Sequence, residues 1–172
     1  MSKQTIETFF AGKNLVVPSY QRDYAWKERN IDELFADVEE ALEVGGHYLG
    51  TFILSQQSTS APVFVVDGQQ RLTTLTMLLD ALIGSLENAD IRTVMRSTYI
   101  QHPLTGYKFQ VLGENKDFFE AMLAKQNPEP TSAGQTRLSK AYQHIRLRVQ
   151  DLVKQGGQPL VLQWLTTLTR ME

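Results

Sequence analysis

A carboxylate, a glycine, two carboxamides and a guanidinium follow one another at Asp67, Gly68, Gln69, Gln70 and Arg71. The apolar run 63–66 before them reads as a buried strand, and Asp67-Gly68 breaks it. Leu72, Leu75, Leu79, Leu82 and Leu86 then recur at helical spacing, which predicts a helix over 69–86. Such a joint leaves unpaired backbone N–H groups and the positive end of a helix dipole facing one spot. Arg71 adds a full positive charge where a cation is disfavoured, so an anion, best a phosphate, would make sense of it. A plain strand-to-helix connection, with Asp67 as cap, accounts for the Asp-Gly pair. It does not account for three long polar side chains opening an otherwise apolar helix.

A second group of functional side chains lies at 17–26, where Tyr20, Gln21, Arg22, Tyr24 and Trp26 give the composition of a contact surface. The ordinary alternative is that the aromatic rings anchor a loop and Arg22 pairs with a carboxylate. No Gly-rich lysine loop is present, so a nucleotide would need a different cradle. Arg22 and Arg71 could supply phosphate charge, Gln21 and Gln69 could orient a water or read a base, and Asp67 could hold a magnesium-bound water. Phosphoryl transfer depends mainly on positioning and charge neutralisation, for which this set suffices. Both arginines follow strand ends, so they are expected to converge on one pocket.

The elements that must position these groups are legible in outline. A helix is expected near 5–10, and a strand at 14–17 that Pro18 ends or leaves at a sheet edge. Asn30 reads as the cap of a helix ending at Gly45-Gly46, with Glu33 in capping-box position. A strand at 47–54 should pair antiparallel with 63–66. Further on come helices at 91–99 and 115–124, a strand at 107–112, and two helical patterns separated by Gly156-Gly157. Residues 127–134, rich in Pro, Ser and Gly, divide a core at 1–126 from a helical extension at 135–172, expected to continue in the natural protein. The class is α/β (α+β), with a small mixed or antiparallel sheet and a helical C-terminal half.

Composition narrows the function. Seventeen basic and nineteen acidic residues give a net charge of −2, so any DNA contact must be a local patch rather than a global basic field. The absence of cysteine excludes thiolate metal sites and cysteine nucleophiles and fits a cytoplasmic protein. No apolar run approaches the ~18 residues of a membrane span. His47, His102 and His144 lie far apart without metal-site spacing, and Glu33, Asp37, Glu39, Glu40 and Glu43 read as a solvated helix face.

Three ordered motifs carry a family resemblance: Pro18-Ser19-Tyr20-Gln21-Arg22 with Tyr24 and Trp26, His47-Tyr48-Leu49-Gly50, and Asp67-Gly68-Gln69-Gln70-Arg71-Leu72. Together they resemble the N-terminal domain of GmrSD-type modification-dependent restriction enzymes, related to the ParB/sulfiredoxin-like fold. The resemblance implies nucleotide binding and hydrolysis coupled to restriction of modified or foreign DNA. On it, Asp67, Gln69 and Arg71 are catalytic, and Gln21, Arg22, Gly68, Gln70 and Arg71 bind the nucleoside triphosphate, with Mg²⁺ at Asp67. It also implies a His-Asn-His nuclease as C-terminal domain or partner subunit, so this chain alone is not expected to cut DNA. The alternative is a non-catalytic sensor that takes a DNA phosphate or phosphorothioate in the same pocket through Pro18, Tyr20 and Gln21.

Overall fold

A computed structural model describes residues 3–19 and 21–172. Helix α1 (Ile6–Phe10) is capped by the Thr5 hydroxyl, which accepts from Thr8 N. Strand β1 (Leu15–Val17) follows, then α2 (Glu28–Val44), β2 (Ile53–Ser55), β3 (Val63–Asp67) and α3 (Gln69–Gly84). After α4 (Ala89–Tyr99), the two-residue strands β4 (Gln101–His102) and β5 (Gly106–Tyr107) form a small hairpin. Strand β6 (Phe109–Val111), a 3₁₀ turn, α5 (Lys116–Leu123) and the long α6 (Ala133–Arg170) complete the chain.

The main sheet is mixed, in the order β2-β3-β1-β6. Strands β3, β1 and β6 run parallel, and β2 pairs antiparallel with β3 as expected. β1 is therefore a central strand: Pro18 ends it rather than marking an edge. Its three residues, and Pro18 itself, are buried, as a strand covered on both faces should be.

Three element boundaries differ from the sequence expectation. Helix α2 starts at Glu28 after the cap residue Lys27, and Asn30 is its third residue, whose Oδ1 accepts from Lys27 N at 3.0 Å. Asn30 thus plays the Glu/Gln part of a capping box instead of the cap. β2 begins only at Ile53, because residues 47–49 exchange backbone bonds with Glu172, not with a strand. The strand expected at 107–112 is split, since Lys108 N bonds Ile100 O while Lys108 O accepts from Leu15 N.

The core lies between the sheet and the helices. α3 is buried along nearly its whole length and packs against α6, which also contacts α2. Leu138, Ile145, Val149, Trp164 and Leu168 of α6 belong to the same buried cluster as Leu15, Val65 and Phe109 of the sheet. Gly157 (φ 61) interrupts α6, and Pro159 restarts it in an early position that tolerates a missing N–H.

Candidate functional site

The strand-to-helix joint turns on Gly68. Its φ of 91 lies in the left-handed region, and a Cβ there would stand 2.4 Å from Cδ1 of Phe52. Glycine is therefore required twice, by backbone and by packing. The first intrahelical bond of α3 runs from Leu72 N to Gly68 O, so the N–H groups of Gln69, Gln70 and Arg71 precede the helical ladder. Asp67 does not cap the helix. Its Oδ1 accepts from Gly68 N at 2.8 Å, and the carboxylate is exposed.

The two carboxamides of the motif have different work. Gln70 is buried, and both ends of its amide are committed to backbone: Oε1 accepts from Ala25 N at 2.7 Å, and Nε2 donates to Asp23 O at 3.1 Å. It is a strut that holds the segment after β1 against α3. Gln69 is half-buried and donates through Nε2 to Gln21 Oε1 at 3.3 Å, while Gln21 Nε2 donates to Val66 O at 3.2 Å. These two bonds couple the Pro18–Arg22 motif to the Asp67–Arg71 motif, 48 residues apart in sequence.

Further struts fix the same segment. Thr74 donates to Gln70 O, which leaves the Tyr24 hydroxyl to donate to Thr74 Oγ1 at 2.8 Å. Burial pushes the Tyr24 phenol up to about 12, the Thr74 bond opposing the shift. Arg137 Nε donates to Tyr24 O at 2.7 Å, and Asn115 Nδ2 donates to Asp23 Oδ1 at 3.0 Å. Tyr24 and Arg137 thus anchor the loop, as the ordinary alternative required for Tyr24. For Arg22 that alternative fails: it is exposed and, among the described residues, has no carboxylate partner.

At the carboxyl ends of β1 and β6 lies a cavity of about 270 Å³. Pro18, Gln21, Arg22, Gln69, Gln70 and Thr73 line it. Asp67, Gly68 and Arg71 do not. Successive helix positions turn by about 100°, so Arg71 leaves α3 on another side from Gln69 and Gln70. Its guanidinium lies over Gly50, where an added Cβ would stand 2.2 Å from Nη1. The expectation that Arg22 and Arg71 share one pocket is corrected: one lines the cavity, and the other is laid on the His47–Gly50 motif beside β2. Tyr20 lies outside the described residues. Arg71, like Arg22, has no carboxylate partner among them.

Metal chemistry has little protein support. Among the described residues no group of three His, Cys, Asp or Glu side chains could hold an ion. His47 faces Asp37 and Glu40 of α2, and His144 Nε2 lies 2.8 Å from Asp32. Among the described residues no helix is long and apolar enough to cross a membrane.

One polar constellation escaped sequence reasoning. Asp80 of α3 is fully buried and holds Arg96, Lys125 and Tyr142. A single carboxylate inside Met77-Leu78-Leu79-Asp80-Ala81-Leu82-Ile83 was the available signal, since such a group must be paired.

No curated protein matches the chain closely enough to lend it a function. A family model does match, over residues 6–166, a span that takes in all three motifs, the whole sheet and most of α6. The strand-to-helix joint, the Gln21–Gln69 link and the Gly50–Arg71 contact are thus features of a chain that belongs to the family described as the GmrSD restriction endonuclease, N-terminal domain.

Proposed function

We propose that this domain binds a nucleoside triphosphate around the start of α3 and hydrolyses it as the sensor of a restriction system acting on modified or foreign DNA. The observation that carries the reading is the start of α3, where the N–H groups of Gln69, Gln70 and Arg71 stand outside the helical ladder and neither Arg71 nor Arg22, which lines the neighbouring cavity, has a carboxylate partner among the described residues. At the other end of α3, by contrast, the buried Asp80 has Arg96 and Lys125 as internal partners. A cluster of cations and orphan donors with no internal anion is suited to phosphate.

In this reading Arg71 neutralises phosphate charge and the α3 N–H groups contact the phosphate oxygens, while Arg22 stands in the neighbouring cavity beside Gln69. Gln69 and Gln21 hold each other in a geometry from which either amide could orient the attacking water. Gln70 contributes by holding the segment from Asp23 to Ala25 in place rather than by contact with nucleotide. Asp67, exposed and accepting only from its own neighbour, is the carboxylate that could hold Mg²⁺ alongside the nucleotide's own phosphates, where the ion would spread the charge of the leaving group. Nuclease activity belongs, on this proposal, to a C-terminal domain or partner subunit.

A second reading is favoured by the cavity's size. At about 270 Å³ it would not enclose a whole nucleoside triphosphate, but it would take a single phosphate or phosphorothioate of DNA, with Pro18 as an apolar edge beside Arg22. The two readings separate on turnover. Phosphate release from nucleoside triphosphates, measured with and without modified DNA, should be detectable and lost in Arg71→Ala. Tight DNA binding with no turnover of any nucleotide would favour the sensor without catalysis.

A further inference from the structure

The parallel strands have a second end. At the amino ends of β1, β3 and β6, on the far side of the sheet from the joint at Gly68, lies a cavity of about 590 Å³, more than twice the volume of the one beside Arg22. Lys13 and Asn14 line it from before β1, Pro62 from before β3, and Lys108 from before β6. His102 of β4 closes one side. No lining residue is Asp or Glu, although acidic residues outnumber basic ones in the chain.

Lys108 is the second observation. It is 7 % exposed, and its ammonium makes no hydrogen bond or ion pair among the described residues. The ammonium is not cut off from solvent, and Lys108 lines the cavity. Burial holds the Lys108 ammonium below the ordinary lysine range, a cost that a bound anion would relieve. One further donor faces the same space. His102 Nδ1 accepts from Leu104 N at 3.2 Å, which puts the imidazole proton on Nε2.

We infer that this cavity is a second ligand site, taking a phosphate-bearing group of nucleotide size, with Lys108 as its anchoring charge and His102 as a further donor. The volume falls in the range of small-molecule sites, roughly 300–1,000 Å³. The phosphate could belong to a free mononucleotide or to a terminal nucleotide of a DNA strand.

The test is calorimetric titration of the full chain with inorganic phosphate, thymidine 5′-monophosphate, and a short single-stranded DNA with and without a 5′-phosphate. At least one phosphorylated probe should bind saturably, and Lys108→Met should weaken it at least tenfold without changing the melting temperature. Thr105→Glu, which sets a carboxylate in the lining from an exposed position, should do the same should the first variant fold poorly. Binding should persist in Arg22→Gln/Arg71→Gln, which separates this cavity from the site at the other end of the sheet. Preference for the mononucleotide would name a free nucleotide as ligand, and preference for the phosphorylated strand would name DNA; either supports the inference. No saturable phosphate-dependent binding, or binding unaltered in both cavity variants, overturns it.

Discussion

Helix α3 carries ionised side chains near both ends and handles them in opposite ways. Toward its C-terminus, Asp80 is wholly buried, with Arg96 Nη1 2.7 Å from Oδ1 and both Lys125 and Tyr142 on Oδ2. Every charge there has an internal partner. Burial, reinforced by the neighbouring Asp80 carboxylate, pushes the Tyr142 phenol well above its usual range, so it stays a donor to that carboxylate. At the N-terminus, Arg71 and the nearby Arg22 have no such partner among the described residues. The contrast teaches which charges serve the fold and which are left for something outside it: a carboxylate that must be buried is surrounded, whereas cations at the helix start are held near water.

The largest expected effect tests the paired end. Asp80→Ala removes the common acceptor and strands two cations, a change that costs about 3–5 kcal/mol for a buried pair. Arg96 and Lys125 are partly solvated, which puts the expected loss toward the lower figure. Urea denaturation should show it as a lower midpoint at unchanged slope. A loss well under ~1 kcal/mol would mean the cluster is no more than a surface pairing and would break the comparison.

Gln70→Ala sharpens it. Two hydrogen bonds to the segment 23–25 disappear, for a stability loss of about 1–3 kcal/mol. Phosphate affinity should fall only in so far as that segment loosens. Loss of affinity at full stability would move Gln70 from strut to ligand contact.

How much of this was visible in the sequence depended on whether the signal was local. The joint at 63–72 was readable because an apolar run, an Asp-Gly break and a leucine periodicity are neighbours in the chain. The caps and strand limits were less so: Asn30 looks the same as a cap or as the third helical residue, and 47–49 reads as a strand although its backbone is taken by Glu172. Sheet order is non-local, so Pro18 after a short strand was open to two readings, strand end or sheet edge, and only pairing with both β3 and β6 shows that β1 is central and Pro18 its end. Within the site, two arginines that both follow strand ends suggested one pocket, whereas the helix turn lays Arg71 over Gly50 and away from the cavity that Arg22 lines. The cavity at the amino ends of the strands left no sequence trace, because its lining comes from separate stretches of chain spread from Phe10 to Lys108.

A smaller effect concerns pH. The Tyr24 phenol titrates near 10 when unfolded and is raised to about 12 in the fold. Between those values the unfolded chain has released a proton that the folded chain keeps, so stability falls as pH rises, by about 1.4 kcal/mol per pH unit. Tyr24→Phe should flatten that part of the stability profile relative to the parent while leaving phosphate affinity at neutral pH unchanged. An equally steep profile in the variant would show that Tyr24 is not the residue held protonated.

The most direct measurement pairs nucleoside triphosphate affinity with melting temperature for Arg71→Ala. Losing a charge-assisted contact to a desolvated anion should weaken binding by roughly 2–5 kcal/mol. Removing an uncompensated cation from a helix N-terminus should leave the melting temperature unchanged or slightly higher. That combination is the predicted result. Unaltered affinity, or a collapse of stability, would show that Arg71 serves the fold through Gly50 and that the site at the start of α3 does not depend on it.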